Sequence, residues 1–442
     1  MARVIVIGGG AVGLCVAESL ASRDAEVCVF EYGRCGAGAS AGNAGWITPS
    51  LSIPVPAPGV IATSLRWLIN RSGPLWIRPT LTPAMLEWLS RFVISCSRST
   101  YRRGLAVLQD AGARAGPAFE RLAARGVQFE LHQDPLLYPA FETAELHHLW
   151  QVVDELRDAG AHQPIERLSR EEILTAEPSL DPNVLGAVIA RDERRVRPES
   201  LTDGLKHALA PHGVEILENS PVSSLARDGA RWRVAGSAEA RSAEHVVIAA
   251  GVGSARLLAA LRARAPIVAA KGYSRTYAHE PGAPKRPLYL EGPKVAISVF
   301  DQGVRISGTL ELGARTLALS AGRLQAITAA ARRALPGWRM TSPPSDWAGM
   351  RPLSPDGLPF IGRVPGLDGL HLAAGHATLG ITLAPLTGEL IATQLLDGKP
   401  DELLSAFDPA RAVRSRNATS AVGHPSRGAA GPRHQQQQEG SR

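Results

Sequence analysis

The sequence predicts an α/β fold that combines a buried parallel sheet with a smaller, mainly antiparallel sheet and helices. Two stretches predict it. The first thirty-one residues read as strand, glycine-rich turn, helix and second strand, and residues 266–313 alternate apolar and polar side chains between glycines and prolines. The chain has 442 residues, more than one hydrophobic core usually serves, so we expect two domains.

The N-terminal segment carries the most specific pattern. Val4 to Ile7 is an all-apolar run, followed by glycines at positions 8, 10 and 13 and by helical spacing from Ala11. Such glycines allow a tight turn, close approach of a pyrophosphate, and close packing of helix on strand. A second strand, Glu26 to Phe30, ends at Glu31, whose carboxylate can accept hydrogen bonds from both ribose hydroxyls. We therefore predict an adenine dinucleotide site, although this motif does not distinguish FAD from NAD.

The loop after Glu31 is rich in small residues, and residues 35–50 contain no charged side chain. Such a loop at the open crevice of a doubly wound sheet can approach a flat ring system closely. Ser40 and Asn43 would supply polar contacts. The alternative, a flexible surface loop, is disfavoured by Trp46 and Ile47.

Two later segments return to the parallel sheet. A strand from His245 to Ala250 ends at Gly251, and a strand from Leu370 to Ala373 precedes a turn at Gly375 to Gly380 and a helix. The dinucleotide domain is therefore expected to be discontinuous and Rossmann-like. The expected divisions are 1–85, 193–265 and 346–407 for the dinucleotide domain, 86–192 and 266–345 for the substrate domain, and 408–442 for a disordered tail.

Bulk charge excludes a nucleic-acid-binding role. The net charge is +7, but residues 408–442 hold six arginines against two acidic residues, so more than half of the excess lies in the tail. All four cysteines fall in the first hundred residues without metal-ligand spacing, and the start of the chain lacks a basic region of the kind that precedes a signal sequence. These features favour a cytoplasmic protein without a metal.

Residues 51–103 mix tryptophan and arginine. Trp67, Trp76 and Trp88 are interleaved with arginines at 66, 71, 78, 91 and 98. Helices packed over the cofactor domain would explain this pattern. A surface that contacts anionic lipid is the alternative, so peripheral contact with the inner face of the membrane stays open.

Three separated segments together resemble the D-amino-acid oxidase superfamily of FAD-dependent oxidoreductases, most closely the bacterial D-amino-acid dehydrogenases. They are IGGGAVG with Glu31 and SAGNAG; the tetrapeptide Lys271-Gly272-Tyr273-Ser274; and GMRPLSPDGLPFIG with AAGHATLGITLAP. The resemblance spans residues 1 to about 400. It departs from glycine-oxidase-like relatives at Thr378, where those tend to carry arginine.

The resemblance implies non-covalent FAD, because this chain has neither a cysteine in the C-terminal half nor a histidine near the N-terminal glycines to tether a flavin. It places the pyrophosphate over the N-terminal glycines, the ribose on Glu31, the adenine near Val222, and the isoalloxazine beside two small-residue segments. The implied cofactor residues are Val4, Ile5, Val6, Ile7, Gly8, Gly9, Gly10, Ala11, Val12, Gly13, Glu31, Ser40, Asn43, Ala44, Gly45, Val222, Gly251, Gly375, His376, Leu379, Gly380 and Thr382.

The resemblance also implies three residues for substrate. Arg351 matches the position that binds the substrate carboxylate, with an ion pair to Asp346 or Asp356 as the structural alternative. Tyr273 would lie over that carboxylate or would be a core tyrosine. His376 would donate to flavin or substrate or would serve packing only.

The expected activity is FAD-dependent oxidative deamination of D-amino acids by hydride transfer from Cα to flavin N5, giving 2-oxo acid and ammonia. Electrons would pass to a quinone or another acceptor such as O2. A cis-4-hydroxy-D-proline dehydrogenase and a glycine or sarcosine-type oxidase remain open. From another class, a non-catalytic electron-transfer subunit that holds FAD is also open, with residues 64–98 as its docking surface.

Overall fold

The structure is a computed structural model of the chain, and it describes residues 1–50, 52–61, 73–78, 82–158, 164–237, 239–399 and 401–415. The strands are β1 (Arg3–Ile7), β2 (Glu26–Phe30), β3 (Trp46–Ile47), β4 (Leu75–Ile77), β5 (Leu131–His132), β6 (Leu136–Ala140), β7 (Ile165–Ser169), β8 (Gly186–Ala190), β9 (Arg194–Val196), β10 (Glu215–Leu217), β11 (Ser224–Asp228), β12 (Arg231–Ala235), β13 (Ala240–Ala243), β14 (His245–Ile248), β15 (Ala263–Arg264), β16 (Val268–Tyr277), β17 (Leu288–Leu290), β18 (Val295–Phe300), β19 (Gly303–Leu312), β20 (Ser345–Leu353), β21 (Phe360–Arg363), β22 (Leu370–Ala374) and β23 (Arg414–Ser415).

The α-helices of the described residues are α1 (Ala11–Ala21), α2 (Pro83–Ser95), α3 (Arg98–Ala124), α4 (Thr143–Asp158), α5 (Arg170–Ala176), α6 (Pro198–Leu209), α7 (Ser254–Ala260), α8 (Ala321–Ala334), α9 (Ala384–Ala392) and α10 (Glu402–Phe407). In this part of the chain, every helix is too short or too polar to cross a lipid bilayer.

A six-stranded sheet forms the first layer, in the order β10-β2-β1-β14-β22-β21. All neighbours are parallel except β21, which runs antiparallel to β22. Along β1, Val4 and Val6 belong to the core beneath α1, whereas Ile5 and Ile7 belong to the core on the other face. The all-apolar strand is therefore buried on both faces, as its sequence predicted, and β22 and β21 from the C-terminal part of the chain complete the sheet.

A nine-stranded, mainly antiparallel sheet forms the second layer, in the order β20-β16-β19-β18-β17-β6-β8-β7, with β4 paired to β19. Helix α8 covers one face, where Ile327 and Ala331 pack against Ile297 and Ile306. The other face is turned toward the parallel sheet, because Ser298 on that face donates a hydrogen bond to the Ala44 carbonyl at 2.7 Å. The α/β fold with a second, antiparallel sheet is confirmed.

The division into domains stays a proposal, and the strand pairings support it with shifted limits. Ser345–Leu353 pairs along its whole length with β16, and Leu75–Ile77 pairs with β19, so both belong to the antiparallel sheet rather than to the dinucleotide part. The expected tail does not include residues 408–415, which are folded. Val413 is buried in the core and Arg411 binds Asp356 at 2.8 Å, so the chain is folded through residue 415. Residues 416–442 lie outside the described residues.

The arginine and tryptophan segment is described only in part, because Arg66, Trp67 and Arg71 lie outside the described residues. Trp88 of α2 is 3% exposed, and its indole N–H donates to the Leu353 carbonyl at 3.0 Å. Trp88 thus packs over the end of β20, which belongs to the antiparallel sheet and not to the cofactor domain over which the packing interpretation placed it.

Candidate active site

The turn between β1 and α1 has the backbone geometry that a pyrophosphate needs. Gly8 has a φ of +118°, and a Cβ on Gly13 would lie 1.9 Å from the Gly8 carbonyl oxygen, so both positions require glycine. Helix α1 starts after Gly10, which has no side chain to cap the helix, and its first turn contains no acidic residue. The N-terminus of α1 can therefore receive an anion.

The carboxylate of Glu31 is held at the end of β2. It accepts hydrogen bonds from the backbone N–H groups of Gly9, at 2.6 Å, and Gly33, at 2.9 Å. The Ser220 N–H donates to the Glu31 carbonyl, which brings the segment leading to Val222 to the same edge. This arrangement fits the ribose and adenine half of a dinucleotide, in the order predicted for Glu31 and Val222.

The loop predicted to line the flavin ring is tied into the fold by its polar groups. Ser40 Oγ accepts a hydrogen bond from Ala11 N at 3.0 Å, and Asn43 Oδ1 accepts one from Gly45 N at 2.8 Å. The Asn43 carbonyl accepts from Arg305, which also binds Glu199 at 2.7 Å. Asn43 therefore shapes the loop through its side-chain oxygen and its carbonyl, and Arg305 is a positioning residue that the sequence analysis missed.

The structure brings the three distant segments of the predicted site together. The Thr382 hydroxyl donates to the Trp46 carbonyl at 2.8 Å, which joins the two segments predicted to flank the isoalloxazine. The Ala377 N–H donates to the Pro352 carbonyl at 2.9 Å, and His376 forms a β-bridge with Leu353. Because Arg351 immediately precedes Pro352, this contact joins the arginine strand to the glycine-rich turn that includes Gly375, Leu379 and Gly380.

Arg351 lies on the face of β20 that is turned toward these segments. A Cβ on Gly272, on the neighbouring strand, would lie 2.8 Å from its Cζ atom, so the guanidinium rests on the backbone of Gly272. Burial lowers the pKa of this group, but an arginine side chain stays charged in proteins. Among the described residues, no protein group accepts a hydrogen bond from Arg351.

The ion-pair alternative for Arg351 is excluded by the partners of both candidate carboxylates. Asp346 is bound by Arg275 at 2.7 and 2.9 Å, and Asp356 is bound by Arg411 at 2.8 Å. The guanidinium therefore remains available to an anion, as expected of a residue that binds a substrate carboxylate.

Tyr273 is not brought to this face. Its side chain is fully buried in the core under α8, and its hydroxyl donates to Glu311 at 2.8 Å. Burial alone would raise the pKa of Glu311, but the bonds from Tyr273 and Arg78 and the charge of Lys271 lower it. Because Tyr273 lies one position from Gly272, it points to the opposite face from Arg351. We therefore remove Tyr273 from the candidate site. The alternative interpretation, a buried core tyrosine, describes it.

His376 is 3% exposed, and burial lowers its pKa to about 4, so the ring is neutral at physiological pH. Its Nε2 atom lies 3.0 Å from Thr387 Oγ1, whose own hydroxyl donates to the Leu383 carbonyl at 2.7 Å. We assign the proton to Nε2 on that basis, because Thr387 can then only accept. The ring N–H is occupied by Thr387, which favours the packing role over donation to flavin or substrate.

Tyr289 is a site residue that the sequence analysis missed. It lies 5.8 Å from the Trp46 ring and 5.6 Å from the Tyr138 ring, both in edge contacts. Burial and the nearby Glu291 raise the pKa of its hydroxyl, whereas the charge of Arg351 opposes that rise. The aromatic side chains of Trp46, Tyr138 and Tyr289 therefore lie together near Arg351. No local motif indicates Tyr289, because its ring contacts are with Trp46 and Tyr138, which are distant in sequence.

A dinucleotide-binding turn lies on the parallel sheet, and Arg351 lies on the antiparallel sheet that faces it. This combination is typical of flavin-dependent oxidoreductases. The family model described as FAD dependent oxidoreductase, DAO, matches residues 3–394. The chain therefore belongs to the DAO family, and FAD is its cofactor.

Similar proteins agree with this assignment. The chain is 30% identical over 414 residues to a D-amino acid dehydrogenase of Bradyrhizobium diazoefficiens, covering 92% of this chain and 97% of that protein. It is also 30% identical over 408 residues to a D-amino acid dehydrogenase of Rhodopseudomonas palustris, covering 90% and 95%. The crystal structure of glycine oxidase from Geobacillus kaustophilus matches with a TM-score of 0.71 and 25% identity, covering 93% of this chain and 99% of that one.

Proposed function

We propose that this protein oxidises D-amino acids to 2-oxo acids and ammonia and passes the electrons to an acceptor other than O2, such as a quinone. The observation that carries the proposal is Arg351, whose guanidinium has no acceptor among the described residues and lies beside the segments that flank the flavin ring. A guanidinium presents paired N–H donors that match a carboxylate. The two dehydrogenase relatives support the D-amino acid as substrate.

The reaction balances with the groups present. FAD, when bound, supplies the two-electron oxidant that takes the hydride from the substrate Cα. The substrate amine enters in its neutral form and loses one proton as the imino acid forms; water then adds, and ammonia leaves. Because the pKa of His376 is lowered to about 4 and its N–H is bound to Thr387, this ring is a poor base, which agrees with deprotonation of the amine before binding.

The chain's own side chains orient the substrate. Arg351 would fix the carboxylate, and the rings of Trp46, Tyr138 and Tyr289 would bound the space for the remainder of the molecule. The test is anaerobic mixing of the holoenzyme with a panel of D- and L-amino acids while the oxidised flavin band is recorded. Bleaching by D-amino acids supports the proposal. A flavin that no amino acid reduces would instead support the electron-transfer subunit.

A glycine or sarcosine-type oxidase is the second candidate, favoured by the structural likeness to glycine oxidase. Thr378 speaks against it, since it stands where glycine-oxidase-like relatives tend to carry arginine. A cis-4-hydroxy-D-proline dehydrogenase belongs to the same panel of substrates. Hydrogen peroxide formed per substrate turned over in air distinguishes an oxidase from a dehydrogenase.

We further propose that α2 contacts the inner face of the membrane, where a quinone would be reached. Leu86, Val93 and Ile94 of this helix are 52%, 52% and 70% exposed. Apolar side chains on one exposed helix favour an interfacial position. Sedimentation with anionic lipid vesicles is expected for the native chain and is expected to weaken in a variant with all three residues changed to serine.

A further inference from the structure

One residue of the site-facing sheet has a strained backbone. Thr309, in the middle of β19, has a φ of +56°. This left-handed region is unfavourable for a β-branched side chain, whose branched Cβ crowds the backbone there. Such strain persists only where the surrounding structure fixes it, and it concentrates at functional sites.

The strain arises from a β-bulge opposite Gly272. Tyr273 pairs with Gly308 and Lys271 pairs with Glu311, so Thr309 and Leu310 together face the single residue Gly272. Gly272 is also the residue on which the Arg351 guanidinium rests. The bulge therefore places Thr309 across the strand pair from the backbone that supports Arg351.

The hydroxyl of Thr309 lacks a partner. Thr309 is 6% exposed, and its Oγ1 atom has no hydrogen bond within the described part of the chain. Two neighbours share this property: Ser274 and Ser307, a directly paired cross-strand couple that is 1% and 3% exposed. A buried hydroxyl without a partner is costly unless a ligand or a water supplies one, and three such hydroxyls lie on the adjacent strands β16 and β19.

We propose that Thr309 is a substrate-binding residue whose hydroxyl donates a hydrogen bond to the carboxylate held by Arg351, and that the bulge serves to place it there. This inference rests on the proposed function, because it takes the ligand of Arg351 to be a carboxylate. A hydroxyl can supply the additional donor that an anion accepts, and a ligand in this position accounts for the unpartnered oxygen.

The test compares three variants of the FAD-loaded enzyme. Thr309→Val removes the hydroxyl and keeps the shape, Thr309→Ser keeps the hydroxyl, and Thr309→Gly relieves the strained φ. The readouts are the dissociation constant of acetate, followed by perturbation of the flavin spectrum, the KM and kcat for a D-amino acid, and the thermal midpoint at saturating FAD. Thr175→Val, at an exposed hydroxyl on α5, is the matched control and is expected to change none of these.

We expect Thr309→Val to weaken acetate binding and raise KM by roughly 10- to 100-fold, the usual range for a hydrogen bond to a charged group, with kcat changed less. Thr309→Ser should stay within about threefold of the native enzyme, because it keeps the donor. Thr309→Gly should melt at a higher temperature and yet bind acetate as weakly as Thr309→Val, because strain and donor are lost together.

Three results would overturn the inference: native acetate affinity in Thr309→Val, equal loss in Thr309→Ser and Thr309→Val, or loss that follows release of FAD. The failure of the proposed function has a different signature. In that case the native enzyme binds acetate, and Thr309→Val weakens it, but no D-amino acid reduces the flavin.

Discussion

The two faces of the antiparallel sheet differ in how their polar groups are satisfied. On the face under α8, the Tyr273 hydroxyl binds Glu311, which also accepts from Arg78 at 2.8 Å. On the face toward the parallel sheet, the buried Thr309 hydroxyl has no hydrogen-bond partner among the described residues, and none of them accepts a hydrogen bond from the half-buried Arg351 guanidinium. Buried polar groups are costly without partners, so the Tyr273–Glu311–Arg78 group of the first face is structural, whereas the unpartnered groups of the second face favour a ligand there.

Arg351→Ala is the substitution expected to have the largest effect. Removing one partner of a buried, hydrogen-bonded charge pair costs on the order of 2–5 kcal/mol, so KM for the D-amino acid should rise by more than tenfold while FAD is retained. Steady-state kinetics measure KM, and the flavin content of the purified variant measures how much FAD is retained. A native KM would remove Arg351 from the site and would erase the contrast between the two faces.

Gly272→Ala tests the support beneath the guanidinium. The new Cβ would lie 2.8 Å from Cζ of Arg351, so the guanidinium must move, and we expect a rise in KM of roughly 10-fold or more. Gly322→Ala is the matched control, because a Cβ there meets no atom within 4 Å. Equal kinetics for these two variants would contradict the stacked position of Arg351.

His376, in the glycine-rich turn beside Arg351, should make the free energy of unfolding depend on pH. Burial lowers its pKa from 6.5 to about 4, so below pH 6.5 the unfolded chain binds a proton that the folded chain does not. The stability is therefore present above about pH 6.5 and falls as the pH approaches 4, by on the order of 1–3 kcal/mol. Thermal midpoints measured from pH 7 to pH 5 should fall less steeply in His376→Gln, whose amide can still donate to Thr387. Parallel slopes in both proteins would disprove this.

Tyr273→Phe should have the smallest effect. Glu311 loses one donor and keeps Arg78, so the free energy of unfolding should fall by about 1 kcal/mol while KM and kcat stay native. Chemical denaturation measures the free energy of unfolding, and steady-state kinetics measure KM and kcat. A large change in KM would return Tyr273 to the substrate site and would remove the distinction between the faces.

These faces also mark the limit of prediction from the sequence. The bounds of β2 and the start of α1 were predicted correctly, because strand, glycines and helix are encoded within thirty-one neighbouring residues. The face of Tyr273 was not predictable, because β16 is largely buried on both sides and its apolar pattern does not identify which side meets a ligand. The bulge at Thr309 depends on the register between β16 and β19, and the ring contacts of Tyr289 are with Trp46 and Tyr138, which lie far away in the sequence.

The domain limits stay a prediction, and the strand pairings favour shifted limits for a related reason. β4 and β20 carry no pattern that separates them from the dinucleotide part, and their place is set by hydrogen bonds to β19 and β16. Arg351 could be proposed as a site residue despite this, since its neighbours Met350 and Pro352 form a short motif. The carboxylates that could have neutralised it are engaged by Arg275 and Arg411, which only the three-dimensional structure shows.

The hydrogen bonds from Arg305 to Glu199 and to the Asn43 carbonyl affect which fragments of the molecule can be separated. They connect β19 of the antiparallel sheet to the loop that contains Asn43 and to α6. The chain itself passes repeatedly between the two sheets. Neither sheet can be excised as one continuous fragment. Trimming with a protease should therefore not leave a half-molecule that still binds FAD, because the strands of each sheet come from segments interleaved along the chain.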